Sequence, residues 1–248
     1  MDFYVETLNN LVGRGKLDRQ ATTLVIAGGP KDREAFLNAG FSDVTISNLD
    51  RRMQGHEFDP YLWAPIDAEN IALPDCSFDQ VIDHMGLHHC GSPHRALLEM
   101  YRVARKAVLV FENRDSFTLR TAVRLGLVPE YELDAVRGNG YEFGGWRNTA
   151  IPNHVYRWTE AEVIKTIASA DPANRLEMEF FYNLRYPDAR IGGMNNPLRL
   201  ILLALKIPFK FYARLFPRQA NEFGFFLNKA DRKPHPWIDS FTGTLIRG

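Results

Sequence analysis

Between residues 22 and 112 the chain returns again and again to short β-branched and aliphatic runs, each closed by a polar or glycine-rich tip. The runs fall at 22–27, 44–47, 61–66, 78–83 and 106–111. Apolar stretches of four to eight residues bounded by turn signals are buried strands. Two helices interleave with them. One spans 32–39 and is stopped by Gly40, and the other spans 93–104 with Pro93 in its first turn, where the missing N–H costs nothing. Strands alternating with helices at this pace require right-handed crossovers and a mainly parallel sheet. Small ligands of such sheets bind beyond the carboxyl ends of the strands.

The remaining segments are less regular. Residues 3–12 carry apolar positions at helical spacing before Gly13 and Gly15, and 116–127 also reads as helix. A long irregular stretch follows, rich in Gly, Asn and aromatics (Gly138, Asn139, Gly140, Tyr141, Gly144, Gly145, Trp146). Its length marks it as functional, and its aromatic content argues against disorder. Thr159 and Glu162 form a capping box at the start of another helix. A sixth strand is expected at 176–184, an apolar and basic helical region interrupted at Pro208 over 196–216, and a seventh strand at 222–228. Asp75 and Asp79 read as turn residues, and Glu69 as facing solvent.

The 248 residues suit one domain. We divide it into a cofactor-binding core at about 18–115, a substrate or lid region at 116–175, and C-terminal strands with an amphipathic helical insertion at 176–248. Thirty basic residues balance thirty acidic ones, so no nucleic-acid partner is expected. The two cysteines, Cys76 and Cys90, cannot build a disulfide framework and lack Cys-x-x-Cys spacing. A reducing, cytoplasmic setting follows, consistent with an N-terminus that carries no basic and apolar leader.

Asp67-Ala68-Glu69, Leu73-Pro74, Ser77-Phe78-Asp79 and Leu87-His88-His89 resemble the class I S-adenosylmethionine-dependent methyltransferases, in their small-molecule branch. The resemblance implies an α/β fold: a Rossmann-like seven-stranded sheet with helices on both faces, an antiparallel last strand and an elaborated C-terminal substrate region. It also implies S-adenosylmethionine as cofactor. Ala27, Gly28 and Gly29 allow close backbone approach after the first strand. Asp50, with Asn48 second, is placed to take the ribose hydroxyls at the next strand tip. By the resemblance Asp67, followed by Ala68, meets the adenine amino group, while Asp83 and His84 lie beside the amino-acid and methyl region. The first strand departs from the pattern. It reads Leu24-Val25-Ile26 without an acid, and Pro30 and Lys31 follow the reduced glycines. The group that holds the cofactor's amino terminus is therefore absent or supplied elsewhere.

Methyl transfer to a hydroxyl needs alignment and removal of one proton, for which histidine is the simplest base. His88 is the first candidate for base or acceptor positioner, with His89 beside it and His154 second. His84, His88, His89, Cys90 and His94 match no closed zinc pattern, so no metal is expected. Trp146, Arg147, Asn153 and Tyr156 mix rings with amide and guanidinium groups that suit a sugar. The runs Gly144-Gly145-Trp146-Arg147-Asn148, Pro152-Asn153, Tyr156-Arg157-Trp158 and His235-Pro236-Trp237 are similar to methyltransferases of bacterial surface-polysaccharide pathways. That likeness implies O-methylation of a sugar hydroxyl on a glycan or its activated precursor. Two alternatives stand beside it. One is a non-catalytic binding protein that kept the fold while its first motif decayed. The other is a methyltransferase for a lipid-linked or small-metabolite acceptor. Residues 197–218 place Arg199, Lys206, Lys210, Arg214 and Arg218 among aliphatic and aromatic neighbours. That pattern suits a peripheral membrane contact, or a packed helix whose long basic stems cover its apolar face.

Overall fold

The computed structural model describes residues 3–50, 52–53, 55–193, 195 and 197–238. Helix α1 (Phe3–Gly13) leads into strand β1 (Thr23–Ile26), helix α2 (Pro30–Ala39), β2 (Val44–Ser47) and β3 (Leu62–Ala64). Then come β4 (Phe78–His84), α3 (Pro93–Val103) and β5 (Ala104–Asn113). The C-terminal half holds α4 (Phe117–Arg124), α5 (Leu133–Gly138), α6 (Glu160–Ala170), β6 (Asn174–Asn183), α7 (Asp188–Gly192), α8 (Leu198–Leu215) and β7 (Glu222–Pro234). The seven strands form one sheet in the order β3-β2-β1-β4-β5-β7-β6. The first five pair in parallel, and β7 is antiparallel to both β5 and β6. This is the expected Rossmann-like methyltransferase topology: β1, β2 and β3 are laid down toward one edge, and from β4 on the strands are added on the other side of β1.

Consecutive strand residues serve opposite faces, as a pleated sheet requires. Val25, Leu109 and Phe226 pack with Tyr4, Leu8 and Leu11 of α1 and Phe36 of α2. Their neighbours Leu24, Val108 and Phe225 pack with Leu97 and Met100 of α3 and with Val163 and Ile167 of α6. The sheet is thus covered on both sides, and its open edge is the row of parallel strand ends.

Several expectations need correction. Asp79 lies within β4 rather than in a turn, where its carboxylate accepts from the Thr22 hydroxyl and the Arg105 guanidinium. Glu69 is buried, because its carboxylate accepts the N–H groups of Gly91 and Ser92 at 2.9 and 2.8 Å. Helix α8 runs through Pro208 without a break. The ring removes one hydrogen bond to the preceding turn, and the carbonyl freed belongs to exposed Ala204, which water can satisfy. Strand β7 continues six residues past the expected end, as far as Pro234, paired with Asn174 of β6.

Candidate active site

Two backbone features shape the floor of the site. Ala27 after β1 and Met85 after β4 both adopt left-handed conformations, with φ of 50° and 59°. Non-glycine residues enter this region at a cost of roughly 1–2 kcal/mol, and such strain concentrates at functional sites. Gly86 shows why the strand ends can come so close. A Cβ there would lie 2.4 Å from both Ala27 Cβ and Asp83 Oδ1. Gly28 is similarly confined, since its Cβ would meet Ile46 Cγ2 at 2.8 Å. Ala27, Met85 and Gly86 line a cavity of about 280 Å³ with Asn48, Asp50, Met53, Asp67, Ala68, His89 and Cys90. Phe143, Gly144, Gly145, Arg147 and Asn148 close it from the irregular stretch. A hollow of about 350 Å³ on the α6 side, lined by Tyr101, Ile167 and Asp171, contains none of these strand-tip residues.

The acids around the cavity are held by turns close to them in sequence and by Arg147 from the irregular stretch. Asn48 donates to the Gly28 carbonyl at 2.6 Å and accepts the Asp50 N–H at 2.7 Å, tying the β2 tip to the β1 turn. Asp50 takes a bidentate pair from Arg52 at 2.7 and 2.6 Å, whose hydrogen bonds hold its carboxyl below the usual range. Asp67 accepts the Glu69 N–H and, at 3.1 Å, Arg147 Nη2. Arg147 also approaches Glu69 at 3.6 Å. Expected on the acceptor side, Arg147 instead latches the irregular stretch onto the cofactor side of the cleft.

Asp83 is fully buried in β4, in register with Ile26 of β1. One oxygen meets the Gly86 N–H at 3.4 Å, and the other has no partner among the described residues. Burial, and then the charge of Glu112, push its carboxyl well above the ordinary value. An acid thus lies beside the end of β1, although β1 itself contributes none. His84 turns the other way and stacks on Tyr4, with ring centroids 4.3 Å apart. Successive residues of a strand point to opposite faces, so Asp83 and His84 cannot share one site.

A second group of side chains adjoins the cavity at His89. His88 is buried in the tight turn that follows β4, and its Nδ1 lies 3.0 and 2.8 Å from the two oxygens of Glu112. Its Nε2 lies 3.2 Å from Glu132 Oε2, and His89 Nε2 lies 3.4 Å from the same oxygen. Burial opposes charge on His88, but the carboxylates of Glu112 and Glu132 outweigh it and push the ring up to about 10. The hydrogen bond from His88 holds Glu132 down at about 2. Burial and the neighbouring His88 charge lower His89. His88 therefore has both nitrogens engaged and is no open base, whereas His89 faces the cavity.

Asn153 is buried against this group, donating to the His88 carbonyl at 3.3 Å and to Glu132 Oε2 at 3.4 Å. His154 points outward, half exposed, with Glu130 at 3.9 Å. Its backbone pairs with Tyr131 in an antiparallel bridge, and alternation along that bridge puts Asn153 inside and His154 outside. Trp146 is partly exposed and does not line the cavity. Tyr156 packs on Trp158 and His94 and donates to Glu162 at 2.7 Å, which fixes the start of α6. The five-residue cluster weighed as a metal site is dispersed, since His84 and His94 are engaged elsewhere.

The structure thus gathers Ala27, Asn48, Asp50, Asp67 and Ala68 around one cavity, with Gly28, Gly29 and Asp83 just behind it. Sequence reasoning missed Glu112 and Glu132. The only available sign for Glu112 was an acid ending an apolar strand, and Glu132 stands in a stretch with no periodicity. The residues fit S-adenosylmethionine: Ala27 and Gly86 bring two strand tips to the cavity, carboxylates stand at Asp50 and Asp67, and a buried Asp83 oxygen has no partner among the described residues. Asp50 would hold the ribose and Asp67 the adenine amino group, and the cofactor would supply an activated methyl group.

The methyltransferase-domain family matches residues 34–111. No curated protein matches the chain. Among solved structures, the YcgJ protein of Bacillus subtilis aligns over 90% of this chain and 98% of its own, with a TM-score of 0.55 at 13% identity. Magnesium protoporphyrin IX methyltransferase of Synechocystis PCC 6803, solved with bound SAH, aligns over 91% and 81%, with a TM-score of 0.52 at 11% identity. A SAM-dependent methyltransferase of Methanosarcina mazei aligns over 88% and 96%, with a TM-score of 0.52 at 12% identity. The domain match over the central strands, taken with the sheet order and the strand-tip cavity, supports a methyltransferase that uses S-adenosylmethionine.

Proposed function

We propose that the protein O-methylates a sugar hydroxyl on a glycan or an activated glycan precursor. One observation carries this reading: the cofactor cavity and the His88–His89–Glu132 group meet at a shared residue, His89. An acceptor hydroxyl lying between them would be aligned with the methyl group on one side and a proton-handling cluster on the other. Alignment supplies most of what an in-line displacement needs. The stretch that covers the cleft offers Asn139 and Asn148 beside Phe143, and Tyr141 and Trp146 stand exposed on it. Amides set among rings suit a polyhydroxylated ring.

A lipid-linked acceptor is a second reading, favoured by α8. At about 100° per residue, Leu200, Ile207, Phe211 and Leu215 share one side of this helix. All four are exposed. Arg199, Lys206, Lys210 and Arg214 occupy the adjoining side, and such a helix suits a membrane surface. No helix among the described residues is long and apolar enough to cross a membrane. Labelled methyl transfer, run in parallel on water-soluble nucleotide sugars and on a lipid extract, separates the readings. Label in the sugars supports the first and label in the extract alone supports the second. Label in neither, from protein that binds S-adenosylhomocysteine, would refute both.

A further inference from the structure

We propose that His88, His89 and Glu132 form a site for one divalent transition metal ion of the zinc class, beside the cofactor cavity. The inference deepens the methyltransferase reading and rests on it only for the ion's role in catalysis.

Three observations converge. His88 Nε2 and His89 Nε2 lie 3.2 and 3.4 Å from the same oxygen, Glu132 Oε2. Ligand atoms ~2.05 Å from a tetrahedral zinc are spaced ~3.3 Å apart, so the two edges already have the spacing of a coordination shell. All three ligand atoms lie within 4.8 Å of one another. Next, His88 presents its other nitrogen to the fully buried Glu112 at 2.8 Å. A carboxylate behind a histidine fixes the ring's orientation and raises its basicity as a ligand. Finally, the buried Asn153 amide touches Glu132 Oε2 at 3.4 Å, and its own oxygen has no partner among the described residues. A bound ion's water or an acceptor hydroxyl would satisfy it.

Two histidines and one carboxylate leave a fourth position open, which is the hallmark of a catalytic rather than a structural zinc site. His89 lines the cofactor cavity, so that position adjoins the methyl-transfer site. An acceptor hydroxyl held there would have its pKa lowered. Its proton would leave to solvent. The new O–C bond would form as the C–S bond of the sulfonium breaks, giving a methyl ether and a neutral thioether. No oxidant or reductant is required. In the metal-free protein a proton closes the same edge between His88 and Glu132, so ion and proton compete for one place.

Cobalt tests the site without reference to turnover. Chelator-treated protein titrated with Co²⁺ should bind one equivalent and show the intense visible absorption of a four-coordinate ion. His89→Ala and Glu132→Gln should abolish that spectrum, and Glu112→Gln should weaken binding by ~10–100-fold. His94→Ala should leave it intact. The thermal shift with S-adenosylhomocysteine, measured on the same samples, reports folding and cofactor binding separately. No stoichiometric binding at millimolar Co²⁺ by protein that still responds to S-adenosylhomocysteine overturns the proposal and leaves a proton-bridged cluster. Binding that survives both His89→Ala and Glu132→Gln overturns it as well. If His89→Ala does not fold, the partly exposed Glu132 provides the deciding variant.

Discussion

The two sides of the cleft are built by different means. On the cofactor side Asp50 and Asp67 are fixed first by residues close to them in sequence, with Arg147 added at Asp67 from across the cleft. Asp50 is held by Asn48 and Arg52, and Asp67 by the turn to Glu69. On the acceptor side His88, Glu112, Glu132 and Asn153 come from four separate segments and meet only in the folded chain. The first arrangement needs little more than a strand and a turn. The second needs β4, β5 and the 131–158 region to be in place together. Two of its members, His88 and Glu112, are buried, and Glu112 is fully enclosed, while Glu132 stays partly exposed.

That contrast is open to measurement. Glu112→Ala should have the largest effect, because it leaves His88 buried with half of its countercharge removed. A loss of ~3–5 kcal/mol in urea denaturation is expected for breaking such a buried pair. A loss below ~1 kcal/mol would place the acceptor side in the same class as exposed ion pairs.

Asp32 probes the support beneath the cofactor side. It accepts the Gly29 N–H at 2.8 Å, and burial raises its carboxyl to about 6 from 3.8. The folded state therefore binds more protons than the unfolded one between these values. Stability should fall by up to about 3 kcal/mol as pH rises from 4 to above 6. Asp32→Asn should flatten that slope in denaturation curves taken across the window, and an unchanged slope would mean that Asp32 is not the titrating group.

Asp50 and Arg52 give the smallest effects and the sharpest contrast. Asp50→Ala should weaken S-adenosylhomocysteine binding by ~1.5–3 kcal/mol, tenfold or more by calorimetry, because the ribose loses a charged partner. Arg52→Ala should keep binding within about threefold and stability within ~1 kcal/mol, since the Arg52 side chain that is removed is half exposed. Equal losses from both variants would show that Arg52 itself shapes the ribose site.

The sequence was legible wherever the chemistry is local. Strand positions, the mainly parallel sheet and the acids at the tips of β2 and β3 followed from runs of apolar residues and their closing turns, and the antiparallel last strand from the family resemblance. Glu69 was misread because its partners, Gly91 and Ser92, stand more than twenty residues away. Asn153 and His154 were both candidates, and only the bridge to Tyr131 decides which of the two neighbours points inward. His88 looked like an available base until Glu112 and Glu132 closed on its two nitrogens.

By itself, then, the sequence determined the parallel sheet and the ring of acids at its strand ends, because apolar periodicity and turn chemistry act over a few residues. Only the tertiary structure decided what stands opposite the cofactor. Burial of charge and convergence of ligands depend on segments that local pattern cannot bring together.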